Sequence, residues 1–230
     1  MQYPRVSLYA LMLAAAGIPL YIHLPQFVSV NLGVGLGTIG VILLVIRLID
    51  LVQDPLIGWA IDRWPKAQAA FTISAAAGLA LGFPLLFSLS PGPYLIAKLV
   101  VILILLFSAY SLGSILLYGR SATLAERPEP EALMTLAAFR EGGMLAGVII
   151  AALAPAAFAG LGAGGQGYGA FGMFLGGLAV MTAVATVPMW KRPAILGQSL
   201  SLAGLGEARA LRGQHLGPIQ CCCRRCFRSP

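Results

Sequence analysis

The sequence predicts an all-α membrane protein: six transmembrane helices over residues 1–193, then a non-membrane tail over 194–230, disordered or weakly helical. Three observations predict it. Of the 230 residues 59% are hydrophobic and only 10% charged, against roughly 25% charged in a soluble domain. Six apolar runs are each long enough to cross the hydrocarbon core, which takes about 20 residues of helix. The segments between them alternate between basic and charge-free, a pattern that membrane topology imposes.

The first run, about 7–30, follows Arg5. Its small residues at Ala14 to Ala16 weakly resemble a cleavage site, but the apolar stretch continues well past them, so it reads as an uncleaved span. The charge-free NLGVGLG leads to the second run, 38–61. DRWPKAQ, with Arg63 and Lys66, leads to the third, 69–90. SPGPY, without charge, leads to the fourth, 95–118, in which Lys98 sits near the outer end and can snorkel. GRSATLAERPEPEA, with Arg120 and Arg127, leads to the fifth, 133–159. GLGAGGQGYG leads to the sixth, 169–190, and Lys191 and Arg192 follow it. Basic linkers fall on one side and neutral linkers on the other. The expected orientation is therefore a multi-pass protein of the cell (inner) membrane with both ends of the six-span unit in the cytoplasm.

Three glycine pairs spaced by four, Gly78/Gly82, Gly143/Gly147 and Gly172/Gly176, are candidates for close helix contacts. Chance in a chain with 28 glycines is the alternative. Pro19, Pro25, Pro55, Pro84 and Pro155 interrupt spans, which membrane helices tolerate when neighbours satisfy the freed carbonyl.

The formal charge of +7 could suggest a nucleic-acid partner. Its placement in linkers and at the C-terminal end, with no basic stripe interleaved with aromatics, excludes that reading. The partners expected are the lipid bilayer and a small polar solute. His23 and His215 are the only histidines, and the four cysteines lie in the last ten residues. The spans thus hold no metal-ligand cluster, no Ser/His/Asp set and no phosphate loop, and neither an enzyme nor a cofactor is expected.

The second run is the informative one. Arg47, Asp50 and Asp54 lie within TIGVILLVIRLIDLVQDPLIGWAID, and spacings of three and four put all three on one helical face. A charge near the bilayer centre costs about 3 kcal/mol on insertion scales and more in simulations, so such charges face protein or water. The fifth run adds Arg140 and Glu141. Asp54 and Arg140 both fall on the order of 10–12 Å from the cytoplasmic ends of their helices, at about 1.5 Å per residue, and could pair across the bundle. Two positive and three negative groups leave one acid for a cation. A carboxylate suits Na⁺, and a desolvated one suits H⁺. A structural ion-pair network is the alternative reading.

The run from Arg47 through Asp50, Asp54, Pro55, Gly58, Asp62 and Arg63, with Lys66 following, resembles the major facilitator superfamily. Gly58, Asp62 and Arg63 are similar to its cytoplasmic loop motif between the second and third helices. The longer pattern resembles the glycoside–pentoside–hexuronide:cation symporters, the branch of melibiose permease, and Pro19-Leu20-Tyr21 and Leu24-Pro25 agree. The resemblance covers roughly residues 8–190. It implies one half of a major facilitator fold, with Asp50 and Asp54 serving a coupling cation, Arg47 neighbouring them, and Arg140 at the solute site. Other candidates for the solute site are Tyr21, His23, Ser114 and Tyr118. The first and fourth spans lack the acids that the permease uses for sugar, with Ser114 and Tyr118 standing near two of the permease's polar positions.

The function expected is thus a cation-coupled (Na⁺ or H⁺) secondary transporter of sugars or other small polar solutes, in a truncated copy that is the N-terminal half. A membrane scaffold or an inactive fragment without transport is the alternative. A homodimer is expected if the half-length chain is functional. From about residue 196 the composition changes abruptly, and a shifted reading frame is expected there. TGY codons for the Cys221–Cys223 run, shifted by one base, encode Ala, Val or Leu. A genuine short tail and a metal site are the alternatives; three adjacent cysteines cannot all point at one tetrahedral ion.

Overall fold

The computed structural model describes residues 3–120, 130–160 and 167–190. The expected tail, the linker around Arg127, and Lys191 and Arg192 lie outside the described residues. Every described span is helical, and six helices are long and apolar enough to cross a membrane. They are α1 (Tyr3–Asn31), α2 (Leu36–Arg63), α3 (Pro65–Phe87), α4 (Leu95–Gly119), α5 (Pro130–Gly160) and α6 (Gly167–Trp190). The observed ends lie within four residues of the expected ones. α2 runs on through Arg63 because its polar C-terminal turn stands beyond the apolar stretch. α3 opens with a 3-10 turn, Pro65–Ala67, since Pro65 cannot continue the preceding helix.

α1 carries a feature that hydropathy does not reveal. At Pro19–His23 it makes one π turn, in which the Leu24 amide donates to the Pro19 carbonyl five residues back. Such turns insert one residue and re-aim the side chains on either side. Here Tyr21 faces α2 and α4, while His23 faces α5 and α6.

Lipid tails are as apolar as leucine, so burying apolar surface does not by itself hold such helices together; close packing does. The three glycine pairs supply it. Gly143 and Gly147 of α5 lie directly on the Ser7 and Leu11 carbonyls of α1, where a side chain could not fit. Gly172 and Gly176 of α6 lie on the Phe83 and Ala80 carbonyls of α3, and Gly78 and Gly82 of α3 receive Ala109 and Leu106 of α4. The Ala80 carbonyl is the one that Pro84, lacking an N–H, leaves without its helical donor. α1 packs on α5, α6 and α4; α3 packs on α6 and α4; α2 packs chiefly on α4. Between them sits an apolar core that includes Tyr9, Phe83 and Phe171, all fully enclosed. α2 and α5 are the least enclosed helices, with 22% of their most apolar windows buried against 61% for α1.

Candidate functional site

The five intramembrane charges fall on α2 and α5, and the structure gathers them into two clusters. The first is built on the middle of α2. Asp50 is 6% exposed, the one buried acid among the described residues. Its Oδ2 accepts from Arg47 Nη1 at 3.0 Å, one turn earlier on the same helix. The Arg47 side chain is 45% exposed. Its guanidinium lies over two rings, 4.9 Å from the centre of Tyr21 on α1 and 4.8 Å from that of Phe107 on α4. A guanidinium over aromatic faces gains about 0.5–2 kcal/mol, more as water is excluded. Arg47 is therefore fixed from three sides. Tyr21 is in turn braced edge-on by Phe107 and Tyr110.

Asp54, four residues on, points at α4. Ser111 Oγ donates to its Oδ1 at 2.6 Å, and Ser108 Oγ donates to Gln53 Oε1 at 3.1 Å. These two bonds tie α2 to α4 at the depth of the acids. Ser114, a candidate from the sequence, lies on the same stripe of α4 within side-chain reach of Tyr110. Ser108, Ser111, Gln53 and Phe107 were not singled out in the sequence. Their signal was available: Ser108, Ser111 and Ser114 recur every three residues along an otherwise apolar helix.

The second cluster is on α5. Arg140 donates through Nε and Nη2 to Glu141 Oε1 at 3.0 and 2.8 Å, and its guanidinium lies 4.7 Å from the centre of the Tyr118 ring of α4. The Tyr118 hydroxyl donates to Met144 Sδ at 3.1 Å, closing the contact between α4 and α5. No ion pair joins Arg140 to Asp54 among the described residues; Arg140 pairs with Glu141, and Asp54 accepts from Ser111. The pairing across the bundle that helix depth allowed is thus replaced by a local pair and a hydroxyl contact. The two arginines nonetheless share a device, each seated on a tyrosine and bonded to a carboxylate of its own helix.

His23 stands apart from both clusters. Its Nε2 lies 3.3 Å from the Ala151 carbonyl of α5, and its ring meets Phe171 and Tyr168 of α6 edge-on. At the C-terminal end of α2, Asp62 pairs with Arg120 at the end of α4, 3.4 Å away. Arg120 also donates to the Ile61 carbonyl at 3.0 Å. Gly58 leaves room beside Ile115 of α4.

Chemically, the α2 cluster holds two carboxylates one turn apart against one guanidinium. One oxygen of each acid is engaged by these contacts and one lies outside them. That is a net negative, oxygen-lined position inside an apolar layer, the composition that receives a small hard cation or a proton.

The family model described as MFS/sugar transport protein matches residues 6–201. No curated protein matches the chain, and no solved structure does.

Proposed function

The chain belongs to the MFS/sugar transport protein family, a family of multi-pass secondary transporters of sugars or small solutes, and from that premise we propose that it couples solute movement to a cation at Asp50 and Asp54. One observation carries the reading: a buried carboxylate in the middle of a spanning helix, paired with a single arginine one turn before it, and a second carboxylate one turn after it. A purely structural pair would need one acid per base. The second acid is the surplus that a Na⁺ or a proton neutralises, and neutralising it makes the face less costly to cover. In this reading Asp50 and Asp54 bind the cation. Arg47 sets how much negative charge remains for it, and Ser111 orients the Asp54 carboxylate. Arg140, with Tyr118, offers planar donors and a ring to the solute. The branch of melibiose-like cation symporters and the identity of the six spans as the first half of a major facilitator fold belong to the same proposal. So does a homodimer, in which a second copy covers the charged faces of α2 and α5.

The test uses the full chain in proteoliposomes, with a panel of radiolabelled mono- and disaccharides under an imposed Na⁺ or proton gradient. Asp50→Asn and Asp54→Asn each abolish gradient-driven accumulation, while solute exchange without a gradient survives. Normal accumulation in both variants would reduce the cluster to an ion-pair network. For orientation, reporters fused after Lys66 read cytoplasmic and those at Gly92 read outside. A reversed pair of signals would invert the topology.

A further inference from the structure

Ala151 is four residues before Pro155, so its carbonyl has lost the N–H that an α-helix would supply. A carbonyl without a donor in the hydrocarbon layer is costly, and neighbouring side chains commonly make up the loss. The group that does so here is His23, whose Nε2 stands 3.3 Å away. Since a carbonyl only accepts, Nε2 carries the proton. His23 lies in the single π turn of α1. Two residues before it in the same turn, and on the opposite side, stands Tyr21, whose ring lies under the Arg47 guanidinium. The proline of α5 and the arginine of α2 are thus joined through three residues of α1, Tyr21 to His23.

We propose that His23 is a positioning residue of the Asp50 cation site, pinning the π turn to the Ala151 carbonyl so that Tyr21 holds Arg47 at a single-nitrogen contact with Asp50. The proposal rests on reading Asp50 and Asp54 as the cation site. The physics is a competition for one guanidinium. Two rings attract it and one carboxylate attracts it. With the Tyr21 ring displaced, Arg47 closes further on Asp50 and competes with the cation. The pin itself is indifferent to the charge of His23, because the neutral Nε2–H tautomer and the imidazolium both donate.

The experiment measures the Na⁺ concentration (choline replacing Na⁺), or the pH, at half-maximal thermal stabilisation of the full chain in detergent. His23→Ala weakens the cation midpoint at least threefold and lowers the melting temperature by about 3 °C, the loss of roughly one hydrogen bond. His23→Gln, which keeps an N–H donor, recovers part of both. Pro155→Ala returns a backbone N–H to Ala151. In the Pro155→Ala background His23→Ala therefore costs little stability, yet the midpoint still moves. Tyr21→Leu produces the same midpoint shift, and adding His23→Ala to it shifts the midpoint no further. If Pro155→Ala restores the midpoint together with the stability, His23 only satisfies a carbonyl and the positioning role is overturned. A midpoint unmoved by His23→Ala overturns it equally. A wild-type chain that responds to neither Na⁺ nor pH overturns the cation site itself, and that failure is visible before any variant is made.

Discussion

α1 and α3 on one side, and α2 on the other, solve opposite problems with the same length of apolar helix. α1 and α3 meet their neighbours through glycine, on backbone carbonyls in the seams with α5 and α6 and on small or branched side chains where α3 meets α4, and past their first turns carry no charge. α2 meets its neighbour α4 through hydroxyls and a few side chains, and it carries three charges at mid-depth. α5 does both, with glycines on its α1 face and Arg140 and Glu141 elsewhere. The difference teaches how division of labour is written in a membrane, where hydrophobicity cannot rank one contact above another. Close approach marks what must stay together. Polar side chains on a poorly enclosed helix mark what must meet water, solute or another helix.

The comparison can be broken most severely at the glycine seam. Gly143→Ala places a methyl on the Ser7 carbonyl of α1, a backbone atom that cannot step aside, whereas Gly142→Ala next to it meets open space. Overpacking typically costs 1–3 kcal/mol where side chains can give, and here the nearest atom is a backbone carbonyl. Gly143→Ala is therefore expected to lose folded, monodisperse protein on size-exclusion chromatography, and Gly142→Ala to retain it. Equal behaviour of the two would dissolve the seam. Ser111→Ala acts on the other region. It removes a bond to a charged acceptor, so α2 loosens by roughly 1.5–3 kcal/mol, against about 1 for Ser108→Ala with its neutral acceptor. Hydrogen exchange in α2 should rise accordingly while α3 and α6 stay protected; protection lost evenly across all six helices would argue against an independently held α2. The smallest effect belongs to Asp62→Asn. Asp62 is 81% exposed in its 3.4 Å pair with Arg120, whose side chain is 15% exposed and also donates to the Ile61 carbonyl; a pair with its acid in solvent contributes at most about 1 kcal/mol. The melting temperature should barely change, and a large drop would make that contact a main tie between α2 and α4.

Most of this architecture was legible in the sequence. Hydropathy and linker charge delimit all six spans because the bilayer fixes helix length and excludes unpaired backbone, which leaves little else for the chain to do. The same cost of charge exposed Arg47, Asp50, Asp54 and Arg140 without any structure. What stayed hidden were choices among near-equal partners. Depth alone allowed Arg140 to reach across to Asp54, but adjacency on the same helix gave it Glu141, and a serine on α4 took Asp54. The π turn was equally illegible: Pro19 and Pro25 announce a disturbed helix, but whether it bends, tightens or gains a residue depends on what waits alongside. Glycine pairs at a four-residue spacing were ambiguous for the opposite reason, since chance produces them in a glycine-rich chain, yet here all three pairs face a neighbouring helix.

The seam between α1 and α5 also sets a timetable. Its two sides, Ser7 and Leu11 on the first helix and Gly143 and Gly147 on the fifth, are separated by most of the membrane part of the chain. At roughly 5–20 residues per second of synthesis, the carbonyls of α1 wait on the order of ten seconds before the glycines that cover them exist. During that interval α1 must sit in the bilayer with its mating face turned to lipid or to the insertion machinery. α3 and α4, consecutive in the chain, can close on each other as they emerge, but the α1–α5 seam cannot. Its first helix is held in reserve and locked late, so a ribosome that stalls inside the fifth span leaves four inserted helices without their main clasp.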